Sequence, residues 1–165
     1  WLICTHSDNR IDQKTVAQAQ AIMQVELSKM QAAGFNRGLY HYAYVGGYFD
    51  PNAIAALANM GFKTARTGGP VYRPFNMANQ KHLLLGGAAN VQDFADLAAA
   101  KAFVDEVVAT RSHAQLFHHT FTGYASSLTL WKGLVDYVAT LRDSGKVVVD
   151  DMENLYQRAA QLSLS

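Results

Sequence analysis

Ala114-Gln-Leu-Phe-His-His119 is a short apolar run that ends in two histidines. It reads as a buried strand delivering imidazoles to a loop. Trp1-Leu-Ile-Cys-Thr-His6 repeats the design: apolar strand, histidine, polar turn. Two strands that each end in histidine predict a shared site at one end of a parallel sheet.

With 165 residues, half of them hydrophobic, the chain can bury one sizeable core. Charged residues make up 16% and the net charge is +1, so no electrostatic partner is implied. No basic stripe of the kind that grips nucleic acid is present. The single cysteine, Cys4, excludes an internal disulfide framework and reads as a small core residue. No apolar run approaches the roughly 20 residues that span a bilayer. The start at Trp1, inside an apparent strand, carries the expectation of a longer polypeptide or assembly upstream.

Lys14 to Ala33 has Val16, Ala19, Met23, Leu27 and Met30 at helical spacing, with Gly34 placed to end the helix. Gly38 to Tyr44 suits a strand. Asp50 caps and Pro51 opens a helix that closes at Gly61, followed by a strand at Phe62-Lys-Thr-Ala65. Arg66 to Asn90 is irregular, and loops of that length are usually functional. A helix is predicted from Val91 to Arg111. Another, capped by Ser126 or Ser127, runs to Asp143 with Gly145 ending it. Lys146-Val-Val-Val149 reads as the last strand, and Asp150 with Glu153 as a capping box for a helix from Met152 to Leu162. Strict β-α alternation predicts a parallel sheet, either a barrel or a doubly wound sheet. No glycine-rich phosphate loop follows the first strand. Barrel chemistry sits on loops at the carboxyl ends of strands, where His6, Tyr44 and His118 fall.

These stretches resemble the polysaccharide deacetylases, carbohydrate esterase family four, from the second motif of that family to its end. Trp1-Leu-Ile-Cys-Thr-His6-Ser7 resembles the Trp-Glu-Ile-Gly-Ser-His-Thr segment. Tyr42 to Tyr48, then Gly61-Phe-Lys-Thr-Ala-Arg-Thr67, resembles the third-motif region and its following strand. Leu116-Phe-His118 resembles the Leu-x-His of the last motif, and Ser144 to Tyr156 the closing strand and helix. The resemblance implies a single α/β domain over residues 1–165, a distorted parallel β/α barrel lacking its N-terminal strand and motif.

It also implies metal-dependent removal of an N- or O-acetyl group from a polysaccharide, in an extracellular, cell-surface or virion setting. A divalent metal, zinc by expectation, would lower the pKa of its water and polarise the carbonyl. By the same resemblance His6 is a metal ligand and His118 the acid for the leaving group. The Gly46 backbone N–H would help hold the oxyanion and Leu116 would wall the acetyl methyl; Tyr44, Tyr48 and Arg66, read from their own side chains, are the expected substrate contacts. Arg10 stands where the second metal histidine belongs, and a guanidinium offers no lone pair. The motif carrying the base and metal aspartates would lie before Trp1. The alternative is therefore an impaired, deacetylase-like glycan-binding or structural module.

Plainer roles remain open for each residue. His6 can bond a loop, Asp8 and Asp12 can be turn carboxylates instead of replacement ligands, and His119 can pack against a helix. Tyr40, Tyr42, Tyr44, Tyr48 and Phe49 fit strand packing as well as a sugar groove. Arg66, Arg73 and Asn76 fit loop solvation as well as glycan contact. A Ser-His-Asp arrangement has no Gly-x-Ser-x-Gly elbow to support it.

Overall fold

The computed structural model describes residues 4–68, 82–83, 85, 88–117 and 125–162. They fall into two compact units: residues 4–68, 82–83, 85 and 150–162 form one, residues 88–117 and 125–149 the other.

In the first unit, helix α1 (Val16–Ala32) opens on a reciprocal capping box. Thr15 Oγ1 accepts from Gln18 N at 3.3 Å, and Gln18 Oε1 accepts from Thr15 N at 3.0 Å. Its Ala19, Met23 and Leu27 enter the core, and Gly34 at φ 83° ends it. Strand β1 (His41–Ala43) pairs in parallel with β2 (Thr64–Arg66), matching His41 with Thr64 and Ala43 with Arg66. Thr5 bridges to Tyr42 and Leu85 to Arg66, both in parallel. Between the strands, Asp50 caps helix α2 (Pro51–Asn59) by accepting from Ala53 N at 2.8 Å. One core joins α1, α2 and the strands through Ile11, Met23, Tyr42, Tyr44, Leu57, Phe62 and Leu83. Cys4 is half-buried, and burial together with the charge of Asp151 pushes its thiol up to about 11 against the opposing pull of Arg66. Helix α5 (Met152–Leu162) completes the unit.

The second unit pairs β3 (Ala88–Asn90) in parallel with β4 (Gln115–Phe117). Helices α3 (Leu97–Ala109) and α4 (Ala125–Asp143) bury Ala100, Val104, Leu134 and Leu141 beside Val91.

The expected distorted parallel β/α barrel is overturned. Five α-helices and two separate two-stranded parallel sheets form among the described residues. Closure requires every strand to be bonded on both edges. Here the named strands are three residues long and extend only through single-residue bridges. The α/β alternation and parallel pairing hold; the barrel does not.

Other expectations change locally. The helix expected from Val91 begins at Leu97, because Asp96 caps there by accepting from Ala99 N at 2.8 Å. Val91–Asp93 is a separate 3-10 turn. Ser126 and Ser127 lie inside α4 rather than capping it. Lys146 to Val149 makes no strand, and Val148 is 70% exposed. At α5 it is Asp151, not Asp150, whose carboxylate takes the Asn154 N–H, at 2.9 Å. Glu153 turns elsewhere.

Candidate functional site

In open parallel α/β sheets, ligands gather at the carboxyl ends of the strands. In the first unit that end carries two loops, residues 6–14 and 44–50. Thr5 is seated in the sheet, donating its N–H to the His41 carbonyl at 2.8 Å and accepting from Ala43 N at 3.1 Å. His6 therefore leaves the sheet beside the end of β1. Its Nδ1 lies 2.7 Å from the Ala43 carbonyl, which can only accept, so Nδ1 carries the proton. That tautomer leaves the lone pair on Nε2, and the side chain is exposed.

Ser7 Oγ donates to the Asn9 carbonyl and is 2.8 Å from Tyr42 Oη. With its proton committed to a carbonyl, the serine accepts from the tyrosine. Burial raises the Tyr42 pKa, so the phenol keeps the proton it donates. Arg10 grips Asp12 with two parallel hydrogen bonds, Nε to Oδ1 at 2.8 Å and Nη2 to Oδ2. Asp12 is buried, and the guanidinium bond holds its carboxyl below the usual aspartate range. Gln13 adopts φ 59°, a conformation side chains resist, and donates its N–H to Asp50 Oδ2 at 2.7 Å. Asn52 reaches the Lys14 carbonyl at 2.9 Å. The first loop is thus fastened to β1 at one end and to α2 at the other.

The second loop turns through Gly46 (φ 62°) and Gly47 (φ 76°). The Gly46 N–H has no hydrogen-bond partner among the described residues. Tyr48 is 55% exposed, and the Arg10 guanidinium carbon lies 3.9 Å from its ring centroid. Beside this stack is an open cleft of about 650 Å³ lined by both loops, including Asp8, Arg10, Asp12, Gln13, Lys14 and Val45.

Of the expected site residues, His6, Gly46 and Tyr48 lie on these loops. Tyr44 is 2% exposed and donates to the Leu83 carbonyl at 3.1 Å, so it forms the floor beneath the loops rather than a contact surface. Arg66 ends β2 and is half-buried. Leu116 packs against the core of the second unit. His118 lies outside the described residues, as do His119, Arg73 and Asn76. Tyr42 is core; Tyr40 and Phe49 are partly exposed.

Of the residues expected at the metal, His6 is the one among the described residues. Among the described residues, no three His, Cys, Asp or Glu side chains converge. Of the two carboxylates near His6 in sequence, Asp12 is committed to Arg10, and Asp8 lies exposed 3.8 Å from the Lys29 ammonium. Two functional features escaped the sequence reading: the burial of Asp12, and the double duty of Asp50 as helix cap and loop clamp. An Arg-x-Asp spacing hints at the first; the second joins residues 37 apart and has no local signal.

Comparison with models of protein families, with curated proteins and with solved structures finds no match.

Proposed function

We propose that the cleft between the two loops binds a polysaccharide, making the chain a deacetylase-like glycan-recognition module of a larger extracellular, cell-surface or virion protein. The observation that carries this reading is the Arg10–Tyr48 stack at the rim of a polar cleft. Sugars present C–H faces that pack on aromatic rings and hydroxyls that need fixed donors and acceptors. An exposed tyrosine supplies the first. The arginine and the loop backbone, braced by Asp12 and Asp50, supply the second without an ordering cost on binding. Calorimetric titration with acetylated and de-acetylated polysaccharides tests this. Tyr48→Ala is expected to weaken binding about tenfold, the scale of one lost aromatic contact of 1–1.5 kcal/mol. Binding to no glycan, or unchanged affinity in that variant, defeats the proposal.

The second reading is hydrolytic deacetylation with zinc, favoured by the His6 tautomer. A histidine bonded through Nδ1 to a backbone carbonyl presents Nε2 as metal-binding histidines do. His118 would be its acid, and its remaining ligands and base would come from outside the described residues. Acetate release from an acetylated glycan with added zinc, lost in His6→Ala, would favour this reading. No release with any acetylated substrate would leave glycan binding alone.

A further inference from the structure

Opposite the loops, at the amino ends of β1 and β2, lies a cluster that the cleft does not use. His41, 1% exposed, has Nδ1 2.9 Å from Thr64 Oγ1 and Nε2 2.9 Å from Glu153 Oε2. Lys63 Nζ reaches both carboxylate oxygens of Glu153, at 2.7 and 2.8 Å. Glu153 lies in the first turn of α5, and Arg37 meets Asp151 just before that helix at 3.1 Å. The aromatic ring of Tyr156 lies 5.9 Å from Lys63 Nζ and 6.3 Å from the His82 ring. Gln157 adds a hydrogen bond to Glu153 at 2.8 Å within the helix.

The contacts of α5 with the amino ends of β1 and β2 are therefore polar. Met152, Leu155 and Tyr156 are only partly buried, and none of them joins the core formed by α1, α2 and the strands. We infer that α5 is an acid-released latch, closed by the contacts of Glu153 with His41 and Lys63 and opened when protons enter that cluster.

The wiring fixes one proton position. An ionised Glu153 can only accept, so His41 Nε2 carries a proton, while the Thr64 hydroxyl can donate to or accept from Nδ1. Burial favours the neutral imidazole, which makes the contact with Glu153 a hydrogen bond. The groups facing it are Glu153 and Asp151 from the α5 side and Lys63 from the segment before β2. Burial lowers the pKa of His41, and this outweighs the pull of Glu153. Glu153 is held down to about 2, because bonds from Lys63, Gln157 and His41 outweigh the cost of its burial.

The Glu153 shift sets the sign. A free Glu153 returns to 4.5, so its share of the closure is complete above 4.5 and lost as pH falls toward 2.

The test is hydrogen exchange on the full chain, corrected for intrinsic rates. Protection of α5 is expected to fall by about tenfold between roughly pH 6.5 and 3.5, while α1 and α2 hold theirs. Glu153→Gln is expected to give at neutral pH the weak α5 protection that the parent chain shows in acid. Lys63→Met, on the outer side of the cluster, should do the same and decides the matter if the first variant fails to fold. Protection of α5 that ignores pH, that falls in step with α1 and α2, or that survives Lys63→Met overturns the inference.

Discussion

Gly46 and Gly47 both need the left-handed backbone, but an alanine would meet different neighbours at each. A Cβ at Gly46 comes within 2.7 Å of the Tyr48 ring, which can swing away. A Cβ at Gly47 comes within 2.5 Å of Gly68 N and 2.7 Å of its Cα, and backbone cannot swing. Gly46→Ala should therefore cost about 1 kcal/mol, mostly the strain of positive φ. Gly47→Ala should cost about 3 kcal/mol, because strain and overpacking add. Urea denaturation of both variants checks the ranking, and equal costs would mean that the backbone at Gly68 yields freely. This pairing was not legible in the sequence, where Gly46 stood out through a family resemblance and Gly47 only as its neighbour. Arg10 was legible as a residue unable to bind metal. That it would instead be pinned by a buried Asp12 and lie over Tyr48 depends on two loops meeting, which no local pattern records.

Helices were read more accurately than strands, for a physical reason. Each helix carries its own punctuation. Thr15 and Gln18 start α1, Asp50 and Pro51 start α2, and Gly34, Gly61 and Gly145 each follow a helix end with positive φ. Removing one such signal should have a bounded local effect: Thr15→Ala is expected to cost about 1 kcal/mol, visible as a lower urea midpoint at unchanged slope. A strand has no such autonomy. Gly38 to Tyr44 looks extended throughout, yet only His41–Ala43 finds regular partners. Lys146 to Val149 is rich in β-branched residues and has none among the described residues. Propensity for extension is not pairing, and pairing is decided by distant chain. The barrel expectation failed at this step, since it counted extended segments as closed strands.

At the scale of the whole molecule, the two units differ in how much their described residues bury. The first seals large side chains such as Tyr44, Met23 and Leu57, whereas the second seals mainly Val91, Ala100 and Leu134. Native-state exchange in mild urea should open α3 and α4 before α1 and α2, and the reverse order would contradict that ranking. The α5 contacts were invisible in the sequence because Glu153 lies 112 residues from His41 and 90 from Lys63. Asp151, which caps this helix by accepting from Asn154 N, also bears on Cys4 through its charge. With a pKa of about 11, only about one molecule in 10,000 carries a thiolate at neutral pH. Since this is the sole sulfhydryl of the chain, air oxidation to covalent dimers is suppressed without any second cysteine to guard it. The protein also holds a native attachment point for a spectroscopic probe, slow to react because burial and the charge of Asp151 keep the thiol protonated.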